Sequence, residues 1–197
     1  GLFFGGGGAP NGSTDTTATE EYNGFNFTTS GNMNTAREGL ASAGTQTSAL
    51  GYGGANYGSP VGITNKTEEY GGTSWTSVNN MNNSRSYLSG FGASQTAAIA
   101  VGGNGPTPSN SAATESYDGT NWTNLSAPSN VPSIDFTSAS CGTQTAGLLY
   151  FKFKYGKKKT RSSRNFNTCY RFCRIRSKPS LFTDRRIRWY YLDNFSS

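Results

Sequence analysis

An all-β fold built from one unit repeated about every 48 residues is what this sequence predicts, on three observations. The first is a recurring word: Thr19-Glu20-x-Tyr22-x-Gly24-x-x-Phe27-Thr28, Thr67-Glu68-x-Tyr70-x-Gly72-x-x-Trp75-Thr76 and Thr114-Glu115-x-Tyr117-x-Gly119-x-x-Trp122-Thr123, at steps of 48 and 47 residues. The second is that other landmarks keep the step and the order. Gly5-Gly6, Gly53-Gly54 and Gly102-Gly103 do so, as do Met33-Asn34-x-x-Arg37 and Met81-Asn82-x-x-Arg85, and Gln46-Thr47, Gln95-Thr96 and Gln144-Thr145. A fixed period of 20–50 residues marks an array of one small supersecondary unit. The third is composition: Gly, Ser, Thr and Asn dominate residues 1–151. Gly loses the most backbone entropy in a helix, and the others compete for its hydrogen bonds, so short strands and turns are favoured.

Within one unit, the segments around 88–92, 96–101, 112–117 and 121–125 are short and bounded by Gly, Asn, Asp or Pro, which fits four strands of roughly five residues. Asp118-Gly119 between Tyr117 and Trp122 signals a hairpin, because Gly accepts the positive φ of a tight turn; Asn23-Gly24 and Gly71-Gly72 occupy the same place in the other units. Four antiparallel strands in a unit too small to bury its own faces describe a propeller blade. Residues 1–151 hold about three such blades, fewer than a closed propeller needs, so a longer array or an assembly is expected. The chain opens at Gly1, inside a unit at its Gly-Gly end, with neither Met nor a charged leader, and reads as a fragment or a processed product.

Residues 152–197 are of another kind. They carry fourteen of the 17 Lys and Arg against Asp184 and Asp193, a net of +12 that leaves −6 on residues 1–151, and they hold one Gly, Gly156. This break sets a boundary near Phe151 and predicts an irregular basic segment after it. Cations interleaved with Phe and Tyr are what a binder of single-stranded nucleic acid would use. A second reading is preferred. Back-translated and shifted by one nucleotide, residues 184–194 can be read as Thr-Asp-Gly-Ser-Gly-Gly-Thr-Ile-Trp-Thr-Thr and residues 167–173 as Thr-Pro-Ala-Ile-Asp-Phe-Ala. These approach the repeat at 117–123 and 131–137, so the segment reads as a frameshifted translation. On that reading Phe151, Phe153, Tyr155, Phe166, Tyr170, Phe172, Trp189 and Tyr190 share no core with the blades.

Catalytic chemistry finds no residues here. The chain has no His, which removes the usual general base and the Ser-His-Asp and Cys-His arrangements. Cys141, Cys169 and Cys173 offer one C-x3-C spacing with no second pair, so no metal or cofactor is expected. Glu20, Glu68 and Glu115 recur once per unit, as do the tyrosines, Trp75 and Trp122, and are read as holding blades together; Arg37 and Arg85 are read as tying a blade to its neighbour through backbone carbonyls or Glu. The Gly-Gly pairs lack the Gly-Lys and following helix of a phosphate loop. Binding is expected in the loops that vary between units, 11–17, 55–65 and 104–111, whose polar side chains and one ring, Tyr57, suit sugars. No run of about 18 apolar residues exists to form a spanning helix.

The order Gly53-Gly54, Tyr70, Trp75, Met81, Arg85, Gly102-Gly103 is similar to the kelch repeat, whose units form β-propellers. The wording Thr-Glu-x-Tyr-x-Gly-x-x-Trp-Thr, Met-Asn-x-x-Arg and Gly-Thr-Gln-Thr-Ala more closely resembles the kelch-like repeats of tail and fibre proteins of tailed phages, marine ones in particular. The match covers residues 1–151 and departs from kelch in three respects: Tyr and Trp stand five apart rather than six, Phe27 replaces the first Trp, and Val131-Pro132-Ser133-Ile134 stands where Met-x-x-x-Arg would. The resemblance implies a non-enzymatic binding or structural module of a virion tail, outside cells, with other repeats or virion proteins as partners and a host-surface glycan or receptor as ligand. The alternative it implies is an intracellular kelch-type protein-interaction module.

Overall fold

The Gln-Thr landmarks are hairpin tips. A computed structural model of the chain describes residues 1–7, 14–57, 62–106, 112–126, 138–153, 169–176 and 188–191. In it, β4 (Ala41–Thr45) and β5 (Ser48–Tyr52) turn about Gln46-Thr47, β10 (Ser89–Ser94) and β11 (Ala97–Val101) about Gln95-Thr96, and β14 (Ser138–Thr143) and β15 (Ala146–Phe153) about Gln144-Thr145.

The Thr-Glu-x-Tyr words are the third strands of their units: β2 (Thr19–Tyr22), β8 (Thr67–Tyr70) and β12 (Thr114–Tyr117). Each turns into an outer strand, β3 (Phe27–Ser30), β9 (Trp75–Val78) or β13 (Trp122–Leu125). The turn is a four-residue loop in which Gly24, Gly72 and Gly119 take φ of 103°, 91° and 95°. Asp118 caps its loop, its carboxylate accepting from the backbone N–H of Thr120 and Asn121 at 2.8 and 2.7 Å, which holds its pKa below the ordinary value. Asn23 does the same in the first unit.

All sheets are antiparallel. The first, β1 (Leu2–Phe4)–β2–β3, has three strands; β4–β5–β8–β9, β10–β11–β12–β13 and a fourth sheet have four; a small ladder pairs β6 (Ala55–Asn56) with β7 (Gly62–Ile63). The four segments predicted for the unit at 88–125 coincide with β10 to β13. The inner strands lie side by side, β4 against β10 and β10 against β14, so successive sheets stack face to face. Among the described residues two apolar layers fill gaps between sheets. Met33, Ala49, Tyr70 and Trp75 join the first sheet to the second, with Leu2, Phe4 and Leu40 packed on them. Leu50, Tyr52, Met81, Leu88, Ala98, Tyr117 and Trp122 join the second to the third. The sheets approach where a large side chain meets a small one: a Cβ on Gly51 would stand 2.8 Å from the Phe4 ring and one on Gly147 2.2 Å from Phe91.

The segment after Phe151 differs from the expectation. Instead of three units and an irregular appendage, the structure has a fourth sheet, β14–β15–β16–β17, with β16 (Cys169–Arg176) and β17 (Arg188–Tyr191) inside residues 152–197 and β15 crossing the expected boundary. Edge pairing is made by backbone groups, and a stretch rich in Tyr, Phe, Ile and Trp has the propensity to satisfy the open edge of β15 whatever its origin. The register is still not that of a repeat. Trp122 pairs Tyr117, which pairs Ala98; in the fourth sheet Gly147, the counterpart of Ala98, pairs Ile175, and Trp189 pairs Cys173 two places away. The side chains that would test a shared core for the tail aromatics, the cationic face of a nucleic-acid binder, and the segment 131–134 lie outside the described residues.

Candidate functional site

Residues of the repeated words either fasten the connector between two units onto the next sheet or join one sheet to another. Arg37, fully buried, donates from Nη1 to the carbonyls of Gly53 and Lys66, both at 2.7 Å, and from Nη2 to Glu68 Oε1 at 2.8 Å. Arg85 repeats this one unit on, to Gly102 O at 2.9 Å, Ala113 O at 2.6 Å and Glu115 Oε1 at 2.8 Å. The other carboxylate oxygen accepts the backbone N–H of Asn34 or Asn82, and the amide of the same Asn donates to Trp75 O or Trp122 O. The word Met-Asn-x-x-Arg is therefore a connector whose Met enters the apolar layer while Asn and Arg grip Glu and Trp. Burial pushes both guanidinium pKa values down, opposed by the carboxylate beside each.

The aromatic words lock the same seams. Trp75 and Trp122 donate from Nε1 to the Thr19 and Thr67 hydroxyls of the preceding sheet, at 2.9 and 3.1 Å. Tyr70 and Tyr117 donate to Glu21 and Glu69 of the preceding sheet. Gln46 also reaches Glu21, and these two bonds hold the Glu21 carboxyl below its ordinary pKa. The N–H groups of the first two Gly-Gly pairs are taken by backbone carbonyls: Gly53 N donates to Lys66 O and Gly54 N to Arg85 O, and Gly5 and Gly6 repeat the pattern. Gly53 has φ +67°, and a Cβ there would lie 2.7 Å from Arg85 O. We predict that Gly53→Ala lowers the unfolding free energy by roughly 1–3 kcal/mol, read from a urea titration, because it adds left-handed strain to a backbone clash.

What the seams leave over gathers at one end of the molecule, where the connectors meet the loops between the second and third strands of each unit. Backbone bridges join Gly7 to Asp15, Glu38 to Ala55 and Ser86 to Asn104. Asp15 accepts the backbone N–H of Tyr57, and Glu38 accepts the phenol of Tyr87. The carboxylates flank Gly7, where a Cβ would stand 2.0 Å from Glu38 Oε2 and 3.9 Å from Asp15 Oδ1. Tyr57 is 37% exposed. The Tyr87 phenol is pushed well above its ordinary pKa by its bond to Glu38, then by burial and by Tyr57.

Tyr87 is the residue that sequence reasoning missed. Its φ of 52° is the one left-handed value on a non-Gly residue among those described, and its counterpart one unit back is Gly39, φ 59°. A bulky side chain in this region costs about 1–2 kcal/mol, and such outliers gather at functional sites. Laying the units over one another at the 48-residue step would have shown a ring standing on a glycine position. Of the expected binding loops, residues 11–13, 58–61 and 107–111 lie outside the described residues, while Tyr57 falls in the cluster. Acceptor carboxylates beside phenols and an exposed ring can take hydroxyl hydrogens and stack on an apolar sugar face. Among the described residues no group of three or more His, Cys, Asp or Glu could hold a metal ion, and no helix is long and apolar enough to cross a membrane.

No protein-family model matches the chain, and no curated protein matches it.

Proposed function

We propose that the chain is part of a kelch-like propeller that serves as a non-enzymatic binding module, and that the Asp15–Glu38–Tyr57–Tyr87 cluster is where it meets a carbohydrate. The observation that carries this is Tyr87, a ring in left-handed backbone at a position that a neighbouring unit fills with Gly, set beside a second, exposed ring and two carboxylates. The stacked units and their arginine connectors support the propeller reading, which also draws on the resemblance to kelch repeats. A virion tail or fibre that displays these loops to a host surface glycan is the setting that the resemblance favours.

A glycan array probed with the protein tests the reading. A defined set of bound glycans is expected, lost with Tyr57→Ala and Tyr87→Gly while the thermal unfolding midpoint shifts little. A flat array would reject the carbohydrate ligand and leave protein recognition, as in an intracellular kelch-type module.

A further inference from the structure

The repeat supplies its own control for the cluster at the loop end. At the step of 48 residues Gly7 falls on Ala55, Asp15 on Ile63, Glu38 on Ser86 and Gly39 on Tyr87. The backbone frame is shared: Gly7 bridges Asp15 as Ala55 pairs Ile63, and Glu38 bridges Ala55 as Ser86 bridges Asn104. One unit therefore carries two carboxylates where the next carries Ile63 and Ser86, and the frame itself requires neither.

The side chains that depart from the repeat have glycine beneath them. A Cβ on Gly7 would fall on Glu38 Oε2, and one on Gly39 would stand 3.0–3.1 Å from three atoms of the Tyr87 ring. The Glu38 carboxylate thus lies in the space that a side chain of residue 7 would take. Its other oxygen accepts the Tyr87 phenol at 2.5 Å, so the two glycines seat one hydrogen-bonded pair. The next unit makes the opposite exchange, with Ala55 in the seat and the short Ser86 opposite.

No cation answers the two acids among the described residues. The ion pairs there are Arg37 with Glu68 and Arg85 with Glu115, and Lys66 Nζ donates to the Thr35 hydroxyl at 3.1 Å. Tyr57 N and the Tyr87 phenol take one oxygen of each carboxylate, which leaves Asp15 Oδ1 and Glu38 Oε2 bordering the space over Gly7. Fixed carboxylate oxygens with no guanidinium beside them accept hydroxyl hydrogens and repel an anionic group.

We propose that this site selects uncharged sugars against acidic ones, and that Gly7 sets the selectivity by seating the Glu38 carboxylate. The selectivity rests on the carbohydrate reading and adds the class of sugar to it. Hydroxyls of a neutral sugar donate to Asp15 Oδ1 and Glu38 Oε2 while the exposed Tyr57 ring covers an apolar face. A uronic acid, sialic acid or sulfate in the same place meets two like charges, the repulsive element on which discrimination depends. Gly7 is a positioning residue that acts through Glu38.

The test is an array of matched pairs, each glycan ending in a neutral hexose beside the same chain ending in the corresponding hexuronic acid, with affinities then taken by titration. The acidic member is expected to bind about tenfold more weakly or worse. Gly7→Ala weakens binding of the neutral member by about tenfold, as Glu38→Ser does, because each removes the seated carboxylate. The thermal unfolding midpoint stays nearly unchanged, since Gly7 has no left-handed φ and Ala55 occupies the same backbone position. In the Glu38→Ser background, which recreates the pairing of Ala55 with Ser86, Gly7→Ala weakens binding no further. Asp15→Asn with Glu38→Gln keeps the acceptor oxygens, removes the charges and closes most of the gap between the paired sugars. Preference for the acidic members, a gap that the double amide variant leaves intact, or a Gly7→Ala loss that persists in the Glu38→Ser background overturns the inference and leaves the carbohydrate reading standing. A flat array overturns that reading and the selectivity with it.

Discussion

Arg85→Ala is expected to lower the unfolding free energy by about 3–5 kcal/mol in a urea titration, while Glu20→Ala shifts it by less than about 0.5 kcal/mol. Truncating Arg85 leaves Glu115, which is fully buried, without its cation, and strips the carbonyls of Gly102 and Ala113 of a charged donor. Removing one partner of a buried ion pair costs more than the pair contributes, because the desolvation of the survivor is no longer compensated. Glu20 carries the same sequence word but stands in water, where a carboxylate needs no partner. The contrast is therefore within one molecule. Equal effects at the two positions would show that the word and not the seam sets the energy. The clamp also has an internal cost, since Nε of both arginines is buried with no hydrogen-bond partner among the described residues. Its role is then to fix the spacing of one sheet on the next as much as to stabilise it.

Trp122→Ala is expected to cost roughly 3–5 kcal/mol, again by urea titration, with Trp122→Phe near 1 kcal/mol. The ring packs between Tyr52 of the second sheet and Tyr117 of its own, at centroid distances of 5.0 and 5.1 Å, and its N–H satisfies the buried Thr67 hydroxyl. Ala opens a cavity at the seam that Met81 and Leu88 also line. Phe keeps most of the packing and leaves the Thr67 hydroxyl without that donor. The first unit already carries Phe27 at this position, where no preceding sheet offers a hydroxyl among the described residues. A Phe variant as damaging as the Ala variant would place the energy in the hydrogen bond rather than in the ring.

Strand order and turns were determined by the sequence alone, because their causes are local. Asp118-Gly119 and Asn23-Gly24 carry their own turn chemistry, and the period places the four strands of a unit by copying; it placed neither the short ladder of β6 and β7, which lies in a loop that varies between units, nor the Gln-Thr pairs at hairpin tips. The structural role of Arg37 and Arg85 was legible too, since a guanidinium at the same position of two units needs a repeated acceptor. The tertiary structure decided three things that no local signal carries. It assigned Glu68 and Glu115 to the arginines, a choice set by which carboxylate the stacking brings within 2.8 Å. It separated Glu20 from its two equivalents, because burial depends on what lies opposite and not on the residue. And it gathered Asp15, Glu38, Tyr57 and Tyr87 from two connectors and two loops, a neighbourhood that exists only once the sheets are stacked. The segment after Phe151 marks the limit in the other direction. Its composition breaks with the repeat, yet β16 forms against β15 and β17 against β16, because an open strand edge selects for backbone hydrogen bonds and tolerates almost any sequence that can extend.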